Sequence, residues 1–174
     1  GFSRAQLEEY SLESHRRALQ AIQQGRFQRE IVPLEGVEHD EGMREPNPEK
    51  LASLNPLVEG GKLTAAHASQ ISDGATALLV ASEQAVKDHG LKPRARVHHI
   101  SVLADDPIYM LSAPIPATKR ALEKAGMTKN DIDVVEINEA FASVVLAWQK
   151  ELDWDLETVN PNGGAMALGH PIGA

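Results

Sequence analysis

The sequence contains no cysteine in 174 residues, which excludes disulfides, thiolate metal sites and cysteine nucleophiles within the chain. Aromatic residues are scarce at 4%, so the core has to be built mainly from Val, Ile, Leu and Ala. Positive charge is also short: 17 Lys and Arg stand against 25 Asp and Glu, a net charge of -8. Non-specific nucleic-acid binding needs a basic face, so no nucleic-acid partner is expected. An anionic ligand held by a few local cations remains compatible with this balance. No apolar run is long enough to span a bilayer, so no membrane partner is expected. The first residues lack the basic region and apolar core of a secretory signal, and a cytoplasmic location is the expectation. There is no internal repeat. There is no His-Glu-x-x-His, and the adjacent His98 and His99 point to opposite faces of a strand, so no metal site is expected.

The elements that are present can be placed from their boundary signals. Ser3 and Gln6 have capping-box spacing, and Phe2 and Leu7 the spacing of a hydrophobic staple. Leu7, Tyr10, His15, Ala18, Leu19 and Ile22 then recur at helical intervals until Gly25 stops the helix. Residues 27–34 read as a short strand, and 35–56 as a polar surface excursion with one helical turn at 49–54. Residues 76–81 read as a buried aliphatic strand and 83–89 as a helix closed by Gly90. Residues 95–103 form a second strand, a helix starts near Pro116 and ends at Gly126, and 133–137 form a third strand. A helix opens at Asn138, with Phe141, Val144, Val145, Trp148 and Leu152 as its apolar stripe. Alternating strands and helices imply an α/β layer structure with a largely parallel sheet. In such sheets ligands gather beyond the carboxyl ends of strands, where Asn138 and His170 both fall.

The strongest chemical signal is the glycine-rich stretch 162–174, which reads as a loop. Gly163, Gly164, Gly169 and Gly173 allow backbone angles and close approaches that a side chain forbids. Pro171 restrains His170 to extended backbone, so this histidine lies outside any helix. Two readings stand for it: a loop histidine satisfied by backbone, or an imidazole that donates to a developing oxyanion and accepts a proton from a nucleophile. Asn138 likewise reads either as a helix N-cap or as an amide that anchors a water or carbonyl at a site. A phosphate loop is ruled out, because no Lys-Ser or Lys-Thr follows the last glycine.

Taken together, several motifs resemble the thiolases, the acetyl-CoA acetyltransferase family. They occur in family order: Asp40-Glu41-Gly42-Met43-Arg44, Thr64-Ala65-Ala66-His67-Ala68-Ser69, Ser72-Asp73-Gly74-Ala75, Asn138-Glu139-Ala140-Phe141-Ala142, and Gly163 through Gly173 with its Gly169-His170-Pro171 centre. The resemblance implies a thiolase-like layered α/β fold. It implies thiolysis of a 3-oxoacyl-CoA by coenzyme A, or the reverse Claisen condensation. His170 would activate a nucleophilic cysteine and donate to the thioester oxygen, and Asn138 would hold the water that completes that oxyanion hole. Ala140 and Phe141 would line the acyl pocket. Ala68 and Ser69 would contact coenzyme A along its pantetheine arm, and Arg44 would lie near its nucleotide end. Coenzyme A and acyl-CoA would be substrates, with no further cofactor, and the parent enzyme a homodimer or homotetramer.

The family uses two cysteines and this chain has none. The expectation is therefore that residues 1–69 are the end of a loop domain, 70–92 the last strand and helix of the N-terminal half, and 93–174 a truncated C-terminal half. The chain alone is expected to be inactive. His67 and Gln70 replace an asparagine and a glycine usual in the family. The competing expectation is a non-catalytic coenzyme A-binding or subunit-interaction module. A ketoacyl synthase is disfavoured by Asn138-Glu139-Ala140-Phe141.

Overall fold

A computed structural model describes residues 1–173. The first element, α1 (Arg4–Gln23), starts as its capping box requires. The Ser3 hydroxyl accepts from the Gln6 amide at 3.2 Å, and the Gln6 side chain accepts from the Ser3 amide at 2.9 Å. Its buried face is Leu7, Tyr10, Ser11, Ser14, Arg17, Ala18 and Ala21, a helical stripe that is polar at three neighbouring turns. Two short helices follow, α2 (Pro48–Ala52) and α3 (Glu83–Asp88), both capped by their preceding polar side chains, Asn47 and Ser82.

The helix α4 (Pro114–Ala125) begins two residues earlier than Pro116, because Pro114 already fits the first helical position. It ends at Gly126 in the left-handed region, φ 66°. The helix α5 (Ala142–Leu152) starts after Phe141, not at Asn138; Phe141 holds the N-cap position without a side-chain cap. A last helical turn, α6 (Ala165–Leu168), sits inside the glycine stretch, so that stretch is not one continuous loop.

The core lies where α1, α5 and α6 meet. Leu7, Tyr10, Ala142, Val145, Leu146, Trp148, Trp154, Val159 and Met166 form it. Both tryptophans of this aromatic-poor chain are used there, with ring centroids 5.0 Å apart. Trp148 also donates from Nε1 to the Thr118 hydroxyl at 2.9 Å, which ties α5 to α4.

The expected sheet is represented by single bridges. Val135 pairs in parallel with Val159, and Ile71 in parallel with His170. The Asn160 side chain extends the first pairing by one residue. Its Oδ1 accepts from the Ile137 amide at 2.8 Å and its Nδ2 donates to the Ile137 carbonyl at 2.9 Å. The region 27–34 is turns followed by an antiparallel bridge from Leu34 to Val37, not a strand. Residues 76–81 form no strand and are not buried: Leu78 is 87% and Val80 is 83% exposed. Residues 95–103 form no strand either, with Val102 at 85% exposure. A strand is stabilised by its neighbours in a sheet, and among the described residues neither segment has one. No helix among the described residues is long and apolar enough to cross a membrane.

Candidate active site

The segment 68–71 is the common mount of the site. Ala68 bridges to Phe141, and the Ser69 amide donates to the Ala140 carbonyl at 3.1 Å. One residue on, the Gln70 carbonyl accepts from the His170 amide at 2.8 Å. One short extended stretch therefore holds the Asn138–Phe141 loop on one side and the His170 loop on the other. The result is that Asn138 Nδ2 lies 3.4 Å from His170 Nε2. The N-cap reading of Asn138 is overturned: α5 begins four residues later, and the amide faces the imidazole instead.

Asn138 is exposed on this face and His170 is half-buried. When Nε2 carries its proton, the amide and the imidazole present two N–H donors to a shared oxygen, the arrangement an oxyanion needs. When Nε2 is bare, it can accept a proton from a neighbouring acid. The glycine before the histidine is required by space as well as by angle. Gly169 has φ 101°, and a Cβ there would lie 2.9 Å from the Ser72 Cβ.

Directly behind this pair is a carboxylate that sequence reasoning left without a role. Glu139 is fully buried and accepts four hydrogen bonds. The donors are Ser14 Oγ at 2.7 Å, Tyr10 Oη at 2.9 Å, Asn160 Nδ2 at 3.1 Å and the Met166 amide at 3.1 Å. Burying a bare carboxylate costs several kcal/mol, and four donors offset that cost. Burial, followed by the Glu139 charge, pushes the Tyr10 phenol far above its usual value, so it stays a donor. Ser14 in turn accepts from the Gly164 amide at 3.2 Å. A Cβ on Gly164 would lie 2.7 Å from both Glu139 oxygens, so only glycine admits the carboxylate this close. Tyr10 and Ser14 stand four residues apart on one helix face, a polar interruption that could have signalled this network from sequence.

Arg44 lies apart from the Asn138–His170 pair. With Ala68, Gln70, Met166, His15 and Lys50 it lines a cleft of about 380 Å³ between α1, α2 and residues 65–70. Its guanidinium curls back onto the carbonyls of Glu41, Gly42 and Met43 at 2.8–3.0 Å. Its amide donates to His15 Nδ1 at 3.1 Å. Burial first, and then the Arg44 charge, hold the His15 imidazole below its usual value. Gln70 joins the cleft to the site: its Nε2 donates to the Gly42 and Met166 carbonyls, each at 2.7 Å. His67 is buried beneath the cleft wall and accepts from the Thr64 amide through Nδ1 at 3.0 Å.

Comparisons with known proteins agree with these motifs. The thiolase N-terminal domain model matches residues 1–84, and the thiolase C-terminal domain model matches residues 91–174. The steroid 3-ketoacyl-CoA thiolase FadA6 of Mycobacterium tuberculosis is 62% identical over 99% of this chain and 43% of its own length. The 3-ketoacyl-CoA thiolase of Aeromonas salmonicida is 46% identical over 99% of this chain and 49% of its own. Human mitochondrial 3-ketoacyl-CoA thiolase in complex with CoA superposes with a TM-score of 0.96 at 42% identity, over 99% of this chain and 45% of that one. The acetyl-CoA acetyltransferase of Bacillus anthracis gives a TM-score of 0.94 at 42% identity, over 99% and 46%. The chain thus spans less than half the length of these relatives. With both domain models matched in order and a thiolase-like α/β fold across nearly its whole length, the chain belongs to the thiolase family.

Proposed function

We propose that this chain supplies the histidine side of a thiolase active site, which acts in acyl transfer between a 3-ketoacyl-CoA and coenzyme A. The observation that carries the reading is the 3.4 Å approach of Asn138 Nδ2 to His170 Nε2 on two loops held by one segment. In this reading His170 takes the proton of a cysteine thiol, and the thiolate attacks the 3-keto carbon. The bond between the second and third acyl carbons then breaks. The electron pair moves to the thioester oxygen, which His170 and an Asn138-held water stabilise before the second carbon is protonated. Coenzyme A then takes the acyl group from the cysteine. Both cysteines come from outside these residues, which contain none.

Coenzyme A and acyl-CoA are the substrates in this proposal, with no further cofactor. Ala140 and Phe141 border the acyl group. Ala68 and Ser69 meet the pantetheine arm, and the cleft at Arg44 takes the nucleotide end. Residues 1–69 are then the end of a loop domain, 70–92 the close of the N-terminal half, and 93–174 a C-terminal half. The working enzyme is a homodimer or homotetramer. The 62% identity to a steroid 3-ketoacyl-CoA thiolase, against 44% and 46% for two other 3-ketoacyl-CoA thiolases, favours a bulky acyl group.

A second reading has its own support. The Arg44 cleft brings His15, Arg44 and Lys50 to one opening, so coenzyme A binding without turnover is a coherent function. Calorimetric titration of coenzyme A beside a thiolysis assay with acetoacetyl-CoA separates the two. The first reading expects no turnover by this chain alone and turnover by the full gene product. Turnover by the cysteine-free chain refutes the mechanism, and binding with an inert full product favours the module.

A further inference from the structure

We propose that Glu139 is a positioning residue that sets the separation of Asn138 and His170 through its buried hydrogen bonds, a role that rests on the reading of this pair as the reactive site. Four observations carry it. Glu139 directly follows Asn138 in the chain, so the fixed carboxylate limits where that amide can swing. The donors come from three separate places: Tyr10 and Ser14 on α1, Asn160 after the Val135–Val159 bridge, and the Met166 amide in α6. From Met166, the last turn of α6 leads directly into Gly169 and His170. The Gly164 amide joins the same cluster through Ser14 Oγ, and a side chain at Gly164 would collide with the carboxylate. One group thus fixes the loop that carries Asn138 and the turn that carries His170 against the same helix.

The donor set also dictates the chemistry of the group. All four partners arrive as N–H or O–H donors. A carboxylate suits them because it is acceptor-only with two oxygens. Each oxygen takes two: Oε1 accepts from Tyr10 and Asn160, and Oε2 from Ser14 and the Met166 amide. In Glu139→Gln one of these pairs meets an amide NH2, a donor against donors. The side chain keeps its size, but either Tyr10 and Asn160 or Ser14 and the Met166 amide lose their acceptor. Glu139→Asp keeps the charge and shortens the reach.

The test uses isotope-labelled chain and two readouts, the through-space NMR cross-peak between the Asn138 side-chain amide and the His170 ring, and the melting temperature. Wild type is expected to show the cross-peak. Glu139→Gln is expected to lose it, and Glu139→Asp to recover part of it. Leu7→Ala, a core truncation away from the carboxylate, is expected to lower the melting temperature and keep the cross-peak. If Glu139→Gln fails to fold, Ser14→Ala and Tyr10→Phe each remove one donor and are expected to weaken the cross-peak in turn. A full-strength cross-peak in Glu139→Gln, or in both single-donor variants, overturns the proposal. In the full gene product the same substitution is expected to lower kcat about 100-fold with KM little changed, the scale of a small misplacement of reacting groups. A lost cross-peak beside an enzyme that never turned over thioesters leaves the positioning role standing and overturns the function. A kept cross-peak beside wild-type turnover overturns the positioning role alone.

Discussion

Gly164 shows how one residue constrains the site. A methyl group there would lie 2.7 Å from each Glu139 oxygen, and the buried carboxylate can retreat only by giving up hydrogen bonds. Gly164→Ala is expected to cost about 1–3 kcal/mol, the usual range for overpacking, as a lower urea midpoint. An unchanged midpoint would mean that the carboxylate is not held where described. His15 and His67 set the pH response. Burial depresses both imidazoles below 6.5, helped at His15 by the Arg44 charge. Around His67 the Glu8 charge opposes burial and the Arg4 charge adds to it. The folded state then binds fewer protons than the unfolded one, so this stability is full above about pH 6.5 and is lost as pH falls through the depressed values. The urea midpoint is expected to fall between about pH 7 and pH 5. The double variant His15→Gln with His67→Asn is expected to flatten that fall. A slope identical in the double variant would remove both histidines from the account.

At the scale of elements, α1 and α5 carry the fold. Trp148 is buried against Trp154 and bonded to Thr118, so Trp148→Ala is expected to cost about 3–5 kcal/mol. Thr118→Val removes the acceptor of the buried indole N–H together with the hydroxyl's own bond to the Pro114 carbonyl, and is expected to cost about 1–2 kcal/mol. Chemical denaturation of the two variants checks both, and equal losses would contradict the division of roles. The helices were the legible part of the sequence, because their signals are local. The Ser3–Gln6 box, the Gly126 stop of α4 and the α5 stripe all act within a few residues, and Pro116 misses the start of α4 by only two. The start of α5 was misplaced for a tertiary reason. Asn138 is a good capping residue, but the bridge of Phe141 to Ala68 holds Phe141 extended, so the helix starts only at Ala142. The buried partners of Glu139 were illegible one by one, since Tyr10 and Asn160 are 150 positions apart and meet only in the folded chain.

For the whole molecule, the contrast is between a packed helical core and two apolar segments with no bridge partner among the described residues. Residues 76–81 and 95–103 have the aliphatic composition of sheet interiors, yet Leu78, Val80 and Val102 are more than four-fifths exposed. Sequence patterning reports that a segment suits a sheet; it does not report whether the neighbouring strand lies within the same residues. Hydrogen exchange is expected to be fast across both segments in this chain and slow in α1 and α5, where intrahelical bonds sit over the core. Protection of residues 76–81 in the isolated monomer would contradict the described structure. Slow exchange there in the full gene product is the expected contrast, because family members are more than twice as long.

In the proposed function, Asn138 and His170 together form the oxyanion-binding and proton-accepting side of a thiolase centre. Steady-state thiolysis of a 3-ketoacyl-CoA by the full gene product, compared with its His170→Ala and Asn138→Ala variants, tests it most directly. Removing His170 is expected to lower kcat by about 100- to 10,000-fold, and removing Asn138 by about 100-fold or more. Variants that turn over at the wild-type rate, or a wild-type product with no thiolysis at all, would contradict it.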